Sequence, residues 1–247
     1  GVRTDATVAA GVGTCVLAIP FFIDNATDIS NQIDSNSNTP KAPFGVAGTP
    51  TGITTISNFY GGSFQFDYGD SYHYTNSDFD FGTNDFTIES WIYQGSGIDG
   101  TLFSTSSNGY TSSTINSRFY GSTNTIDVYT GGSNDYISIP NIGLNRWVHF
   151  AMVRSGTTMT VYIDGENRGT GVWNASIDSG DFYINLGRDG DSNPTEPRYY
   201  SDVRVYVGVA KYTSDFIPAS INPNILPDTP SGVSGGSKLA KITEGAV

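Results

Sequence analysis

The stretch that most constrains the fold is "RWVHFAMVRSGTTMTVYIDGENRGTG", residues 146–171. Two alternating strands flank Ser155-Gly156, and Asp164-Gly165 makes a second tight turn. Asp-Gly between alternating apolar runs is the strongest short hairpin signal, because both residues tolerate the positive φ that such turns need. The chain is therefore read as an antiparallel β protein from this unit outwards.

Other segments repeat the pattern. "VLAIPFF" (16–22) reads as a buried strand, with Pro20 marking an edge or bulge. "GSFQFDY" (62–68) and "DSYHYT" (70–75) follow each other across Gly69-Asp70. "DFTIESWIY" (85–93) places Phe86, Ile88, Ser90 and Ile92 on one face and Thr87, Glu89, Trp91 and Tyr93 on the other. Both faces are largely apolar or aromatic, which argues for a strand inside a two-sheet sandwich. Further strands are expected at 101–106, 117–121, 125–129, 135–139, 181–187 and 201–207, whereas 24–58, rich in Asn, Asp, Ser, Thr and Pro, reads as a long loop region. Short strands at turn-punctuated spacing, with no helical period, give a β-sandwich or jelly roll.

Composition agrees. The 247 residues include 30 Gly, 15 Tyr and 14 Phe but 2 Met, a mixture for strands and turns. Residues 1–15 read as an N-terminal arm, 16–220 as the jelly-roll domain and 221–247 as a Pro/Gly/Ser-rich linker or docking tail. The N-terminus lacks an initiator Met and a signal layout, so a processed chain or part of a longer one is expected. The formal charge of −12, with 12 scattered Lys and Arg, argues against nucleic-acid binding. No apolar run approaches the roughly 20 residues of a membrane helix. Cys15 stands alone, so no intrachain disulfide forms, and it reads as a small buried hydrophobe.

At "DFTIESWIY", "RWVHFAMVRSGTTMTVYIDGENRG" and "YYSDVRVYVGVAKYTSDFIP" the sequence resembles the laminin-G-like, concanavalin A-like lectin/glucanase superfamily, from about Val16 to Pro218. The ending "GVAKYTSDFIP" is similar to a subset common in bacteriophage virion proteins: tail fibres, appendages and capsid-decorating proteins. The resemblance implies a jelly roll of two antiparallel sheets. It also implies a non-catalytic module that binds glycans or proteins, often with calcium, and a place on a virion surface among copies of itself or other virion proteins. A bacterial extracellular adhesin, or the binding domain of a carbohydrate-active enzyme, is the alternative. Family members often carry two adjacent acids at the start of the last strand, where this chain has Ser201-Asp202.

The same residues bound the candidate chemistry. Glycoside hydrolysis needs two carboxylates about 5–5.5 Å apart for retention. The Glu-x-Asp-x-x-Glu run of related glucanases is absent, and Glu89 reads as an isolated acid, so no enzyme activity is expected. His73 and His149 both fall within strands and read as structural. Asp189, Asp191 and Asn193 have the 1-3-5 oxygen spacing of a calcium loop, with Glu196 as a further ligand, although Pro194 stands where such a loop needs Gly. Asp67 with Asp202 is a second calcium pair. For glycans, which need aromatic faces beside fixed polar groups, the candidates are Tyr110, Trp173, Tyr199 and Tyr200. "GVAKYTSDFIP" is expected to cap an open end of the core through Ala210, Tyr212, Phe216 and Ile217.

Overall fold

A computed structural model describes residues 14–21, 26–33, 40–58, 61–67, 69–95, 99–106, 114–130, 136–177, 180–184 and 197–218. Its strands are β1 (Thr14–Ile19), β2 (Gly45–Ala47), β3 (Thr51–Ile53), β4 (Ser63–Phe66), β5 (Ser71–Thr75), β6 (Phe86–Gln94), β7 (Gly100–Ser104) and β8 (Ile115–Tyr120). They continue with β9 (Thr125–Thr130), β10 (Tyr136–Pro140), β11 (Trp147–Ser155), β12 (Thr158–Ile163), β13 (Glu166–Val172), β14 (Asp181–Ile184) and β15 (Arg198–Val207). One four-residue helix, α1 (Ser30–Ile33), and a 3-10 turn at Ser77–Phe79 complete the described elements.

Two antiparallel sheets make the jelly-roll sandwich. One runs β13-β12-β11-β6-β15-β4-β3, with β1 also pairing β15; the other runs β10-β9-β8-β7-β14-β5-β2. The strand pattern explains the layering. Phe86, Ile88, Phe150, Met152, Val203 and Val205 point inward from the first sheet, and Tyr74, Phe103, Val128 and Phe182 from the second, all within one core. The Phe103 ring stacks on Phe150 and on Phe182, each at 5.9 Å between centroids, so aromatic side chains join the two layers. Each such side chain contributes about 1.5–3 kcal/mol by leaving water. Cys15 is fully buried, as the sequence suggests.

The Asp164-Gly165 turn forms as read, and the first turn falls one residue later than read, at Gly156-Thr157, with Ser155 still in β11 opposite Thr158. Gly156 has φ 59°, and Asp164 and Gly165 have φ 53° and 84°, the positive values of a two-residue hairpin turn. At the far edge the two sheets meet: a Cβ on Gly169 would lie 2.5 Å from Ile137 Cγ2, so glycine on β13 lets the β10 side chain through.

The long-loop reading of 24–58 is corrected in part. α1, β2 and β3 lie within it, each three or four residues long and therefore too short to show a period. β1 begins at Thr14, inside the segment read as an arm; residues 1–13 and the tail 221–247 lie outside the described residues. No described helix is long and apolar enough to cross a membrane.

Candidate functional site

The outer face of the eight-stranded sheet carries the side chains of greatest chemical interest. On it, register aligns Glu89 with Ala151 and Arg204, Trp91 with His149 and Ser201, and Tyr93 with Trp147 and Tyr199. These rows divide into two halves with different coverings.

Residues 208–218 cross the half nearest Val207 as a clasp. Lys211 N–H donates to Thr87 Oγ1 (2.9 Å), whose hydroxyl donates to the Val209 carbonyl (3.1 Å). Lys211 Nζ forms an ion pair with Glu89 Oε1, and Tyr212 Oη donates to Glu89 Oε2 at 2.7 Å. His149 Nε2 lies 3.5 Å from the same oxygen. Burial alone would raise the Glu89 carboxyl, but Lys211, then His149 and Arg204, hold it well below the usual range. Tyr212 and Phe216 stack at 3.5 Å, and Phe216 N–H donates to the Gly165 carbonyl at 2.9 Å. A Cβ on Gly165 would sit 1.9 Å from Phe216 O, so this glycine is what lets the clasp close.

The clasp therefore lies across the sheet's outer face, on Ala151, Val153 and Tyr162, and does not cap an end of the core; Ile217 is exposed. Glu89 is not isolated either. Its partners are 122 and 123 residues away, a distance no local spacing reveals.

The other half is aromatic. Trp91, Tyr93 and Trp147 are each half-buried, whereas Tyr199 is buried and packs edge-on to Tyr93 at 5.6 Å, so it backs the strip and offers no open face of its own. Tyr93 also meets Trp147 edge-on at 5.8 Å, and Trp91 meets His149 at 5.3 Å. Trp147 Nε1–H donates to the Ser57 carbonyl at 2.9 Å, which fixes the indole. Apart from Tyr199, none of these was singled out as a binding residue in the sequence. Their faces read as interior, because an aromatic strand face looks the same under a clasp or in air as under a second sheet.

The remaining candidates separate. Trp173 and Tyr200 belong to the core, 3% and 0% exposed, so neither offers a face to a sugar. Trp173 follows β13, its backbone N–H donating to the Thr157 carbonyl, and its side chain packs into the core. Tyr200 alternates inward along β15, and its hydroxyl donates to the Leu102 carbonyl at 3.3 Å. Tyr110, Asp189, Asp191, Asn193 and Glu196 lie outside the described residues.

Asp67 and Asp202 do not come together. β15 runs antiparallel to β4 with Arg198 opposite Phe66 and Tyr200 opposite Phe64, so the two acids lie towards opposite ends of the pairing. Asp202 occupies a bulge at φ 55° and accepts from Arg204 Nε at 2.9 Å. Its burial raises its carboxyl, against the pull of Arg204. Among the described residues, no group of three or more His, Cys, Asp or Glu could hold a metal ion.

The seven-stranded sheet has its own outer cluster. His73 Nε2 lies 3.0 Å from both Asp181 Oδ1 and Thr75 Oγ1, with Tyr183 stacked on the ring at 4.1 Å and exposed Phe44 at its edge. Both polar partners share one nitrogen. A nucleophile–base–acid relay needs them on different nitrogens, so the trio does not form one.

Two antiparallel sheets, aromatic faces and interlocked charges define a lectin-like jelly roll. The chain belongs to the concanavalin A-like lectin/glucanases superfamily: the family's laminin-G-type model matches residues 67–211. Solved structures agree on the fold. A structure of botulinum neurotoxin type C, whose cell entry depends upon interaction with two ganglioside molecules, superimposes with TM-score 0.58 at 14% identity, over 82% of this chain and 48% of that one. The binding domain of botulinum neurotoxin serotype D gives TM-score 0.57 at 12% identity, over 94% and 52%. This chain thus spans about half the length of those solved chains. Among curated proteins, none matches it.

Proposed function

We propose that this chain is a non-catalytic recognition module displayed on a virion surface, where it engages a cell-surface glycan. The observation that carries recognition is the partly exposed aromatic strip of Trp91, Tyr93 and Trp147. Rings placed like this gain much from a partner and little from staying wet. The neighbouring acid and base, Glu89 and His149, are committed to the clasp, which supports binding over catalysis. The ganglioside dependence of botulinum neurotoxin type C supports a glycan partner for a chain of the same fold. The likeness of "YYSDVRVYVGVAKYTSDFIP" to phage structural proteins supports the virion setting.

Electron microscopy of the native source with labelled antibody tests the setting. Labelled particles are expected; labelled cell-surface filaments would establish the adhesin reading instead. A glycan array, run with and without chelator, tests the partner. Loss of binding with chelator would support a calcium role for Asp189, Asp191, Asn193 and Glu196. Turnover of a polysaccharide, abolished by one carboxylate substitution, would overturn the non-catalytic reading.

A further inference from the structure

We propose that the strip of Trp91, Tyr93 and Trp147, backed by the buried Tyr199, is a saccharide site that takes an uncharged pyranose ring, a placement and ligand class resting on the recognition reading above. The aromatic part is suited to it. One face of a pyranose is a row of C–H bonds, and it sheds water by lying on an indole or phenol ring. Trp147 is held for this by its bond to the Ser57 carbonyl, and Tyr93 is braced between Trp147 and Tyr199.

Polar atoms around the strip point the same way. Ser201, fully buried beside Trp91 in the register, has a hydroxyl with no hydrogen-bond partner among the described residues. The same holds for both amide atoms of Asn58, next to the carbonyl that anchors Trp147, and for Nδ1 of His149 on the other side of Trp91. A buried polar atom without a partner costs about 1–3 kcal/mol, so several around one aromatic strip mark a place where hydroxyl groups are expected to arrive. Donors and acceptors both occur in this set, which matches sugar hydroxyls, because each of those both donates and accepts.

Charge selects the class. Among the described residues, the cations on this face are engaged: Arg146 with Asp164 at 2.8 Å, Arg204 with Asp202 at 2.9 Å, and Lys211 with Glu89. A carboxylate-bearing sugar would meet paired cations on a chain of net charge −12, whereas a neutral ring meets no penalty.

The chain contains 3 tryptophans, and they supply the test. Indole N–H resonances of the full-length 15N-labelled chain are followed during titration with methyl glucoside, methyl galactoside, methyl N-acetylglucosaminide, lactose and sialyllactose. At least one neutral sugar is expected to shift Trp91 and Trp147 while Trp173, in the core, stays fixed. Sialyllactose should bind no more tightly than lactose. Tyr93→Ala should weaken the response at least tenfold, and Trp147→Phe less so. An unmoved Trp173 resonance in each variant shows that the core is intact. Tighter binding of sialyllactose than lactose overturns the neutral class. Array-positive glycans whose binding ignores Tyr93→Ala overturn the site and leave the recognition reading standing. No response on the array or in the indoles overturns both.

Discussion

The two halves of one sheet face invite comparison, because the same strands build them. β6, β11 and β15 run the length of the eight-stranded sheet's outer face. At one end Glu89, Arg204 and Asp202 lie under the clasp, each with a charged or hydroxyl partner. At the other, Trp91, Tyr93 and Trp147 stay partly exposed beside polar atoms without partners among the described residues. A covering that satisfies its charges is what a stability element looks like. A surface with apolar area and polar demand left over is what a binding element looks like. The difference arises over one or two residues of strand register, so neither strand propensity nor fold class decides it.

The largest expected effect comes from breaking the closed half. Lys211→Met leaves the Glu89 carboxylate buried without its ammonium and should cost about 3–5 kcal/mol in urea denaturation. The double variant Lys211→Met with Glu89→Leu should recover most of that loss, because it removes the stranded charge. An equal loss in single and double variants would show that the ion pair is incidental.

Gly165→Ala comes next. With φ 84° and the Phe216 carbonyl 1.9 Å from an added Cβ, it should cost about 1–3 kcal/mol and free the clasp's far end, seen as faster amide exchange at Phe216. Tyr212→Phe deletes the hydroxyl that donates to Glu89 and should cost about 1.5–3 kcal/mol, as for a hydrogen bond to a charged group.

Acid tests the same half differently. The Glu89 carboxyl is lowered on folding, so its stabilising contribution is complete above its unfolded value near 4.5 and drains away as pH falls below it. Asp202, raised on folding, runs in the opposite sense. The measurement is therefore the stability difference between wild type and Glu89→Gln, which should shrink as pH drops below 4.5. A difference that grows in acid would reverse the assignment.

The smallest effect belongs to the open half. Ser201→Ala removes a buried hydroxyl with no partner among the described residues and should leave stability unchanged or raise it by up to about 1 kcal/mol. A loss of more than that would mean the hydroxyl is structurally engaged and the two halves are alike.

How much of this the sequence reveals depends on range. The 146–171 meander is legible because Ser155-Gly156 and Asp164-Gly165 are local turn chemistry between alternating runs. The inward valines of β15 are legible from their period of two. β2 and β3 are not, because a three-residue edge strand leaves no period to read. The two-faced apolar pattern of β6 signals covering on both sides; the structure covers its second face only over the Thr87–Glu89 half, and the pattern says nothing about what provides that cover. That cover is residues 208–218, whose position follows from tertiary bonds such as Lys211 to Thr87 and Glu89. Trp173 misleads for a related reason: a turn-adjacent aromatic looks available in the sequence, yet the fold packs it into the core.

The placement of the clasp's last described residues has a mechanical consequence. Pro218 lies beside Gly165, at the β12–β13 turn, while β1 starts opposite Val207. A pull on the chain beyond Pro218 first meets the Phe216–Gly165 bond and the bond from Asn167 N–H to Asp215 Oδ1, then the stacked rings, and only then the Lys211 anchor. Load reaches β15 last, after the clasp has peeled one contact at a time. In an assembly tethered through this end, the clasp would yield first, dissipating force while the sandwich behind it stays folded.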